Sequence, residues 1–388
     1  MQWQIAAPAT LALVVYAQRR KSLTPSGIAA AVFTAAVHAY HPWSLPFTLL
    51  CVFFLAGTLA TKVKHGYKAT LTMQSKGSVG EGPRTHTQVF ANSAVATALT
   101  WTHAVQLGKR QASLANPDAA ETNGSLCYSF HGDLLVIGII ACYAAATADT
   151  FSSELGILAR TQPRLITNPV RKVPPGTNGG VTIEGLAAGL LGSSIIAAVS
   201  MYLLPTCDES TAGTPGGGVP WTTQQRIAYA VAIALWGLVG SIFDSWLGAT
   251  CQATVKDVRT GKVVEGEGGS RALVSAAESK HLMRAEVEKA LFDGEGEGAT
   301  EKTDAVSSAV DEGTETAGAA ARGGKYDGSR DKARRSSFGD ERPTRVIETG
   351  VDLLDNNDVN FLTILFVSVS GMALASRVLG VPFDSIKV

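Results

Sequence analysis

Two short segments of this chain carry residue types suited to chemistry on phosphate. In Ala148-Asp149-Thr150-Phe151-Ser152-Ser153-Glu154-Leu155-Gly156, an aspartate, hydroxyls and a glutamate close an apolar run. Pro174-Pro175-Gly176-Thr177-Asn178-Gly179-Gly180 is a glycine-rich turn, preceded by Arg171 and Lys172 and leading into another apolar run. Asp149 and Ser153 stand one helical turn apart, as do Thr150 and Glu154, so the two pairs occupy adjacent strips of one helix. Asp244, in Phe243-Asp244-Ser245-Trp246-Leu247-Gly248, adds a carboxylate from another helix. Magnesium takes one or two carboxylates and completes its shell with water and substrate phosphates. Asp149, Glu154 and Asp244 are therefore the expected metal-binding and catalytic set, with helix capping and interhelical hydrogen bonding as the structural alternative.

In the glycine turn, glycine permits positive φ and close approach of a ligand, and the helix start that follows offers free amides to an anion. Gly176, Thr177, Asn178, Gly179 and Gly180, with Arg84, Arg171 and Lys172, form the expected phosphate- or nucleotide-binding set. No Gly-Lys-Ser/Thr follows, so this is not a Walker loop. The later Gly185, Gly189 and Gly192 read as positions of close helix packing. Asn92, Ser153, Asp355, Asn356, Asn357 and Asn360 are expected to orient substrate, a role for which N-capping is the ordinary alternative. Neither a hydrolase elbow nor a dinucleotide fingerprint is evident.

The elements that must position these residues are apolar. Of 388 residues 46% are hydrophobic and only 17% charged, and runs approaching the roughly 20 residues that span a bilayer cover 3–16, 28–40, 45–60, 89–107, 134–148, 183–204, 227–251 and 361–379. The expected fold is an all-α, polytopic integral membrane bundle of about eight transmembrane helices. Basic residues precede no core in the first run but follow it at Arg19, Arg20 and Lys21, so it reads as an anchor and not a cleaved signal. The formal net charge is zero, which points to no nucleic-acid partner.

Basic residues concentrate after the first, third, fifth and seventh runs, which assigns those loops to the cytosol and both termini to the other side. All five polar motifs then fall at the cytosolic face, where ionisable groups within helices, costing roughly 2.5 to 3.5 kcal/mol each on insertion scales, need partners or an aqueous cavity. Asn123-Gly124-Ser125, a glycosylation sequon, falls outside, as do Cys127 and Cys207, where a disulfide is permitted. Residues 1–260 form the first part of the helical core, 261–345 a largely disordered cytosolic insertion rich in Gly, Ser, Ala and mixed charge, and 346–388 the last helix. Within the insertion, residues 271–292 have helical spacing, and Arg334-Arg335-Ser336-Ser337 reads as a solvated linker or a regulatory phosphosite.

The ordered set of motifs resembles the transmembrane protein 19 family. It comprises Gly82-Pro83-Arg84 with Gln88-Val89-Phe90-Ala91-Asn92, Ala148-Asp149-Thr150 with Ser153-Glu154-Leu155-Gly156, Pro175 to Val181, Asp244 to Ala249 with Gln252, and Asp355-Asn356-Asn357 with Val359-Asn360. That family includes the plant phytyl-phosphate kinase, and the resemblance covers roughly residues 23–379 apart from the insertion. It implies a kinase that phosphorylates an isoprenyl (phytyl- or prenyl-type) monophosphate to the diphosphate, with CTP or another nucleoside triphosphate as donor and Mg2+. Its partners would be the lipid phosphate and membrane lipids, in the endoplasmic reticulum or another endomembrane. A transporter or a non-catalytic membrane scaffold is the alternative. With the loops assigned as above, protease added to right-side-out cells should cut residues 265–342 only after permeabilisation; cleavage in intact cells would overturn the assignment.

Overall fold

A computed structural model describes residues 3–74, 82–115, 124–258, 260–266, 269–270, 272 and 345–386. The sequon asparagine, the expected helix at 271–292 and the Ser336-Ser337 motif lie outside the described residues, as does nearly all of the expected insertion. The helices are α1 (Trp3–Arg20), α2 (Pro25–Tyr40), α3 (Leu45–Lys62), a single turn α4 (His65–Lys68), α5 (His86–Ala115), α6 (Leu134–Gly156), α7 (Ile183–Leu203), α8 (Thr223–Cys251) and α9 (Asn356–Leu379). The eight long ones coincide with the eight apolar runs. Five of them, α3, α6, α7, α8 and α9, are each long and apolar enough to cross a membrane.

Two compact units are distinguished. The first comprises Met1–Thr254, Val263–Arg271 and Thr349–Val388, and holds the helices given above; the second comprises Val255–Lys262 and Ala272–Glu348. In the second, among the described residues, most of β5 (Thr254–Asp257) pairs with most of β7 (Arg345–Thr349), and Lys256 Nζ lies 3.3 Å from Glu348 Oε2.

In the first unit α6 is the centre. Its residues are apolar on every side, a pattern that demands burial all round, and 89% of its apolar window is buried against 28–39% for the other four spanning helices. Helices α3, α5, α7, α8 and α9 enclose it. The close approach relies on small residues. A Cβ on Gly192 would meet the Thr147 carbonyl oxygen at 2.7 Å, one on Gly189 the Ala148 oxygen at 3.2 Å, and one on Gly240 the Ala145 Cβ at 2.6 Å. The glycines read as packing positions are thus used that way.

Capping defines the helix starts. Thr24, Thr182 and Thr222 each accept a backbone N–H at the N-cap of α2, α7 and α8, and a capping box closes at Thr222 with Gln225. Short strands, which the sequence reading did not foresee, tie loops between the helices: β1 (Met73–Gln74) runs parallel to β6 (Val263–Glu265). Between α6 and α7, β2 (Arg164–Leu165) pairs antiparallel with β3 (Asn168–Lys172) and β4 (Gly180–Val181). The β6 strand lies inside the segment expected to be insertion, so the ordered core reaches past residue 261.

At the end of the bundle where α6 begins, a disulfide joins Cys127 to Cys207, and Trp221 stacks on Tyr128 with ring centroids 5.4 Å apart. Asp133, the N-cap of α6, receives Arg110 Nη1 at 2.9 Å and Nη2 at 2.5 Å. His103 Nε2 stands 3.2 Å from the same carboxylate and its Nδ1 2.8 Å from His41 Nε2. Burial alone would raise the Asp133 carboxyl, but hydrogen bonds and charge from His103 and Arg110 outweigh it and bring it down to about 2. A carboxyl depressed below its unfolded value of about 3.9 stabilises the fold fully above that value and loses the contribution as pH falls toward 2. The thermal stability of the purified protein should therefore drop between about pH 4 and pH 2, by about 2 kcal/mol from this group, and Asp133→Asn should flatten that part of the profile. An unchanged acid limb in the variant would refute the assignment.

Candidate functional site

The opposite end of the bundle gathers the polar motifs. Seven residues separate Asp149 from the last residue of α6, Asp244 from the last residue of α8, and the first residue of α9 from Thr363. At 1.5 Å per residue all three lie about 10 Å inside the helix ends, and their neighbours are in register: Ser152 Oγ and Ser241 Oγ of α6 and α8 are 2.6 Å apart. Asp149 and Asp244 stand near enough for their charges to act on each other. Thr363 Oγ1 donates to Asp244 Oδ2 at 3.0 Å. Asp149 is half-buried, and among the described residues no hydrogen bond to its carboxylate is found.

Arg84 enters the same region. Its backbone clamps the start of α2 to the start of α5, with Arg84 N donating to the Ser22 oxygen at 2.9 Å and Thr24 N to the Arg84 oxygen at 3.0 Å. A Cβ on Gly57 of α3 would lie 3.5 Å from Thr150 Cγ2 and 4.0 Å from Arg84 Nη1. The guanidinium and Thr150 thus both border Gly57, and no described side chain bonds the guanidinium.

Glu154 has a different partner from the one its sequence position suggested. It is ion-paired with Lys68 of α4, whose Nζ also donates to the Ala60 oxygen at 3.1 Å. Among the described residues no group of three or more His, Cys, Asp or Glu side chains is placed to hold a metal. The expected three-carboxylate set is thus the pair Asp149 and Asp244, with Glu154 tying α6 to the segment after α3.

The glycine turn is a clasp. Positive φ at Gly176 and Gly179 turns the chain, and a Cβ on Gly179 would lie 2.6 Å from the Ser245 oxygen of α8. Thr177 N donates to the Pro174 oxygen at 3.2 Å and Gly180 N to the Thr177 oxygen at 2.9 Å, while Asn178 N donates to Thr254 Oγ1 at 3.0 Å. Three of the five amides of the turn, those of Thr177, Asn178 and Gly180, thus already donate within the protein and are not available to a phosphate. Gly248 faces the turn, 3.7 Å from Gly179 N measured from an added Cβ. Arg171 and Lys172 lie exposed on β3.

Of the expected orienting residues, Asp355 is the N-cap of α9, accepting Asn357 N at 2.8 Å and Asp358 N at 2.9 Å in a capping box. Asn92 Nδ2 donates to the Gln88 oxygen of its own helix at 2.9 Å. Ser153 is exposed and bonds the Thr150 oxygen at 3.2 Å. Asn356 is exposed, Asn357 is buried beside Gly269, and Asn360 lies one turn from Thr363 on the α9 face that meets Asp244. Sequence reasoning missed Thr363, Lys68 and the Ser152–Ser241 contact. The hydroxyl of Thr363 in an apolar run, three residues after Asn360, was the available signal for the first.

If Glu154 acts by pairing with Lys68, which is largely buried, Lys68→Gln should destabilise the purified protein by roughly 3 kcal/mol because it strands the carboxylate. Adding Glu154→Gln should recover most of the loss in thermal unfolding. Strictly additive losses in the double variant would refute the pairing role.

Residues 8–368 match the family described as integral membrane protein DUF92. Protein PGR of Arabidopsis thaliana is 33% identical over 236 residues, which cover 60% of this chain and 73% of that protein. An uncharacterized membrane protein of Methanocaldococcus jannaschii is 48% identical over 82 residues, 21% of this chain and 34% of its own length. Protein VTE6, chloroplastic, of Arabidopsis thaliana is 29% identical over 181 residues, 47% of each chain; the match thus spans about half of that relative. No solved structure matches. With a match that runs from the first helix into the last, through every motif of the site, this chain belongs to the integral membrane protein DUF92 family, in agreement with its transmembrane protein 19 character.

Proposed function

We propose that this chain is an integral membrane kinase that phosphorylates an isoprenyl monophosphate of phytyl or prenyl type to the diphosphate, using a nucleoside triphosphate such as CTP. The observation that carries this reading is that Asp149 and Asp244, from neighbouring helices, both stand about 10 Å inside one end of the bundle, the end at which Arg84 joins the starts of α2 and α5. The relatedness to Protein VTE6 supports it. A transporter would place its ionisable site nearer the midplane.

The residues fit a magnesium ion. Asp149 and Asp244 offer carboxylate oxygens from two helices, of the kind and number that magnesium takes from a protein, and Thr363 fixes one oxygen of Asp244. When bound, the ion would neutralise and orient the donor's phosphates. Arg84 is placed to hold the lipid's phosphate, as a planar fork that meets two phosphate oxygens. In the transfer, an oxygen of the lipid monophosphate bonds to the terminal phosphorus of the donor as the bridging P–O bond breaks and the nucleoside diphosphate leaves. The attacking phosphate oxygen is already anionic, so the chain needs to supply no strong base; positioning and charge neutralisation do the work. Arg171 and Lys172, exposed on β3, are assigned to the donor. The disulfide at the far end supports placing the site on the cytosolic side of an endomembrane.

The test is turnover of prenyl monophosphates by purified full-length protein with several nucleoside triphosphates. Asp149→Asn and Asp244→Asn should each lower turnover by about a hundredfold or more with little change in thermal unfolding, and the double variant should lose little beyond either alone. Near-normal turnover in both single variants would remove the site, and unfolding of both would leave the carboxylates a structural role.

A further inference from the structure

A groove of about 470 Å³ runs between α2 and α5, lined by Phe33, Val37, Phe90, Ala94, Ala98 and Trp101, with Thr97 at its base. Both helices start at the Arg84 clamp, where Arg84 bonds Ser22 and Thr24, so the groove leads away from the arginine assigned to the lipid phosphate. Phe33 and Phe90 meet edge to face near its entrance, ring centroids 6.3 Å apart. Tyr40 stacks on Trp101 at 5.3 Å and closes its far end. From Phe90 to Trp101 is about 16 Å along α5. Resting on the function proposed above, we infer that this groove holds the isoprenoid tail of the lipid phosphate and that the Tyr40–Trp101 stack limits its length.

Charge and shape both select that occupant. The Arg84 backbone stands at the shared start of α2 and α5, the end of these helices nearer the Phe33–Phe90 contact, and its guanidinium has no described side-chain partner to compete for an anionic head. Ala94 and Ala98 leave two notches about 6 Å apart along the helix, between aromatic walls. Such notches accept the regularly spaced methyl branches of an isoprenoid; a linear alkyl chain has no groups to fill them. The length fits a farnesyl to geranylgeranyl chain.

The test uses full-length protein in detergent and a geranylgeranyl monophosphate bearing a terminal diazirine. Photolysis should label Val37, Ala98, Trp101 or their neighbours on α2 and α5, and geranylgeranyl monophosphate should block the labelling while n-hexadecyl phosphate does not. Ala98→Phe should lower labelling about tenfold by filling a notch. Trp101→Ala should shift the turnover ratio of long over short prenyl monophosphates upward, with thermal unfolding as the folding control for both variants. Labelling on other helices, equal blocking by the linear phosphate, or a chain-length ratio unchanged in both variants would overturn the groove assignment. Labelling of the groove without turnover of any lipid would keep the groove as a prenyl-phosphate site and refute the kinase reading instead.

Discussion

Enclosure of α6 is the constraint on which the rest depends. A helix that is apolar around its whole circumference, from Leu134 through Ala148, has no face to give to water, and in the bundle five other helices cover it. Coverage so complete requires backbones to come close, which is why glycines of α7 and α8 face Thr147, Ala148 and Ala145 where a methyl group would collide. In a membrane, where apolar surface alone does not drive helices together, such close packing and a few interhelical hydrogen bonds supply the association. Ser193 Oγ to the Ala234 oxygen at 2.7 Å and Ser368 Oγ to the Gly138 oxygen at 3.3 Å are bonds of this kind.

The same packing positions the candidate site. Asp149 stands on the last turns of the enclosed helix, so its height and direction follow from the contacts that hold α6 against α8 and α9. Asp244 is set by Gly237 and Gly240 on the turns before it, each against α6, and by Trp236 Nε1, which donates to the Val367 oxygen at 3.0 Å. Thr363 lies one turn before Val367 on the same face of α9 and completes the register at the carboxylate. The glycine turn lies over the end of α8 and holds it there.

The two ends of the bundle solve the cost of ionisable groups differently. At the start of α6, Asp133, Arg110, His103 and His41 form a closed network in which each charge has a bonded neighbour, above loops joined by a disulfide. At the end of α6, Glu154 is neutralised by Lys68, whereas among the described residues Asp244 is bonded by Thr363 and no hydrogen bond to the Asp149 carboxylate is found. A closed network gives rigidity. A carboxylate without such a partner can take a ligand, and this difference separates a structural cluster from a candidate for chemistry.

The eight long helices and their order were legible from the sequence because each apolar run carries its own burial requirement, independent of its neighbours. So were the motifs that meet at one end, since alternation of crossings sends every second loop to the same side. What each polar residue bonds was not legible. Glu154 pairs with Lys68 of α4, Asp355 was taken by its own helix start, and three amides of the glycine turn were used against Pro174, Thr177 and Thr254. Capping and ion pairing are decided by whichever partner the tertiary fold brings within about 3 Å, and a linear pattern holds no information on that distance. The β1–β6 pairing and the α2–α5 groove were hidden for the same reason: both exist only between segments far apart in the chain.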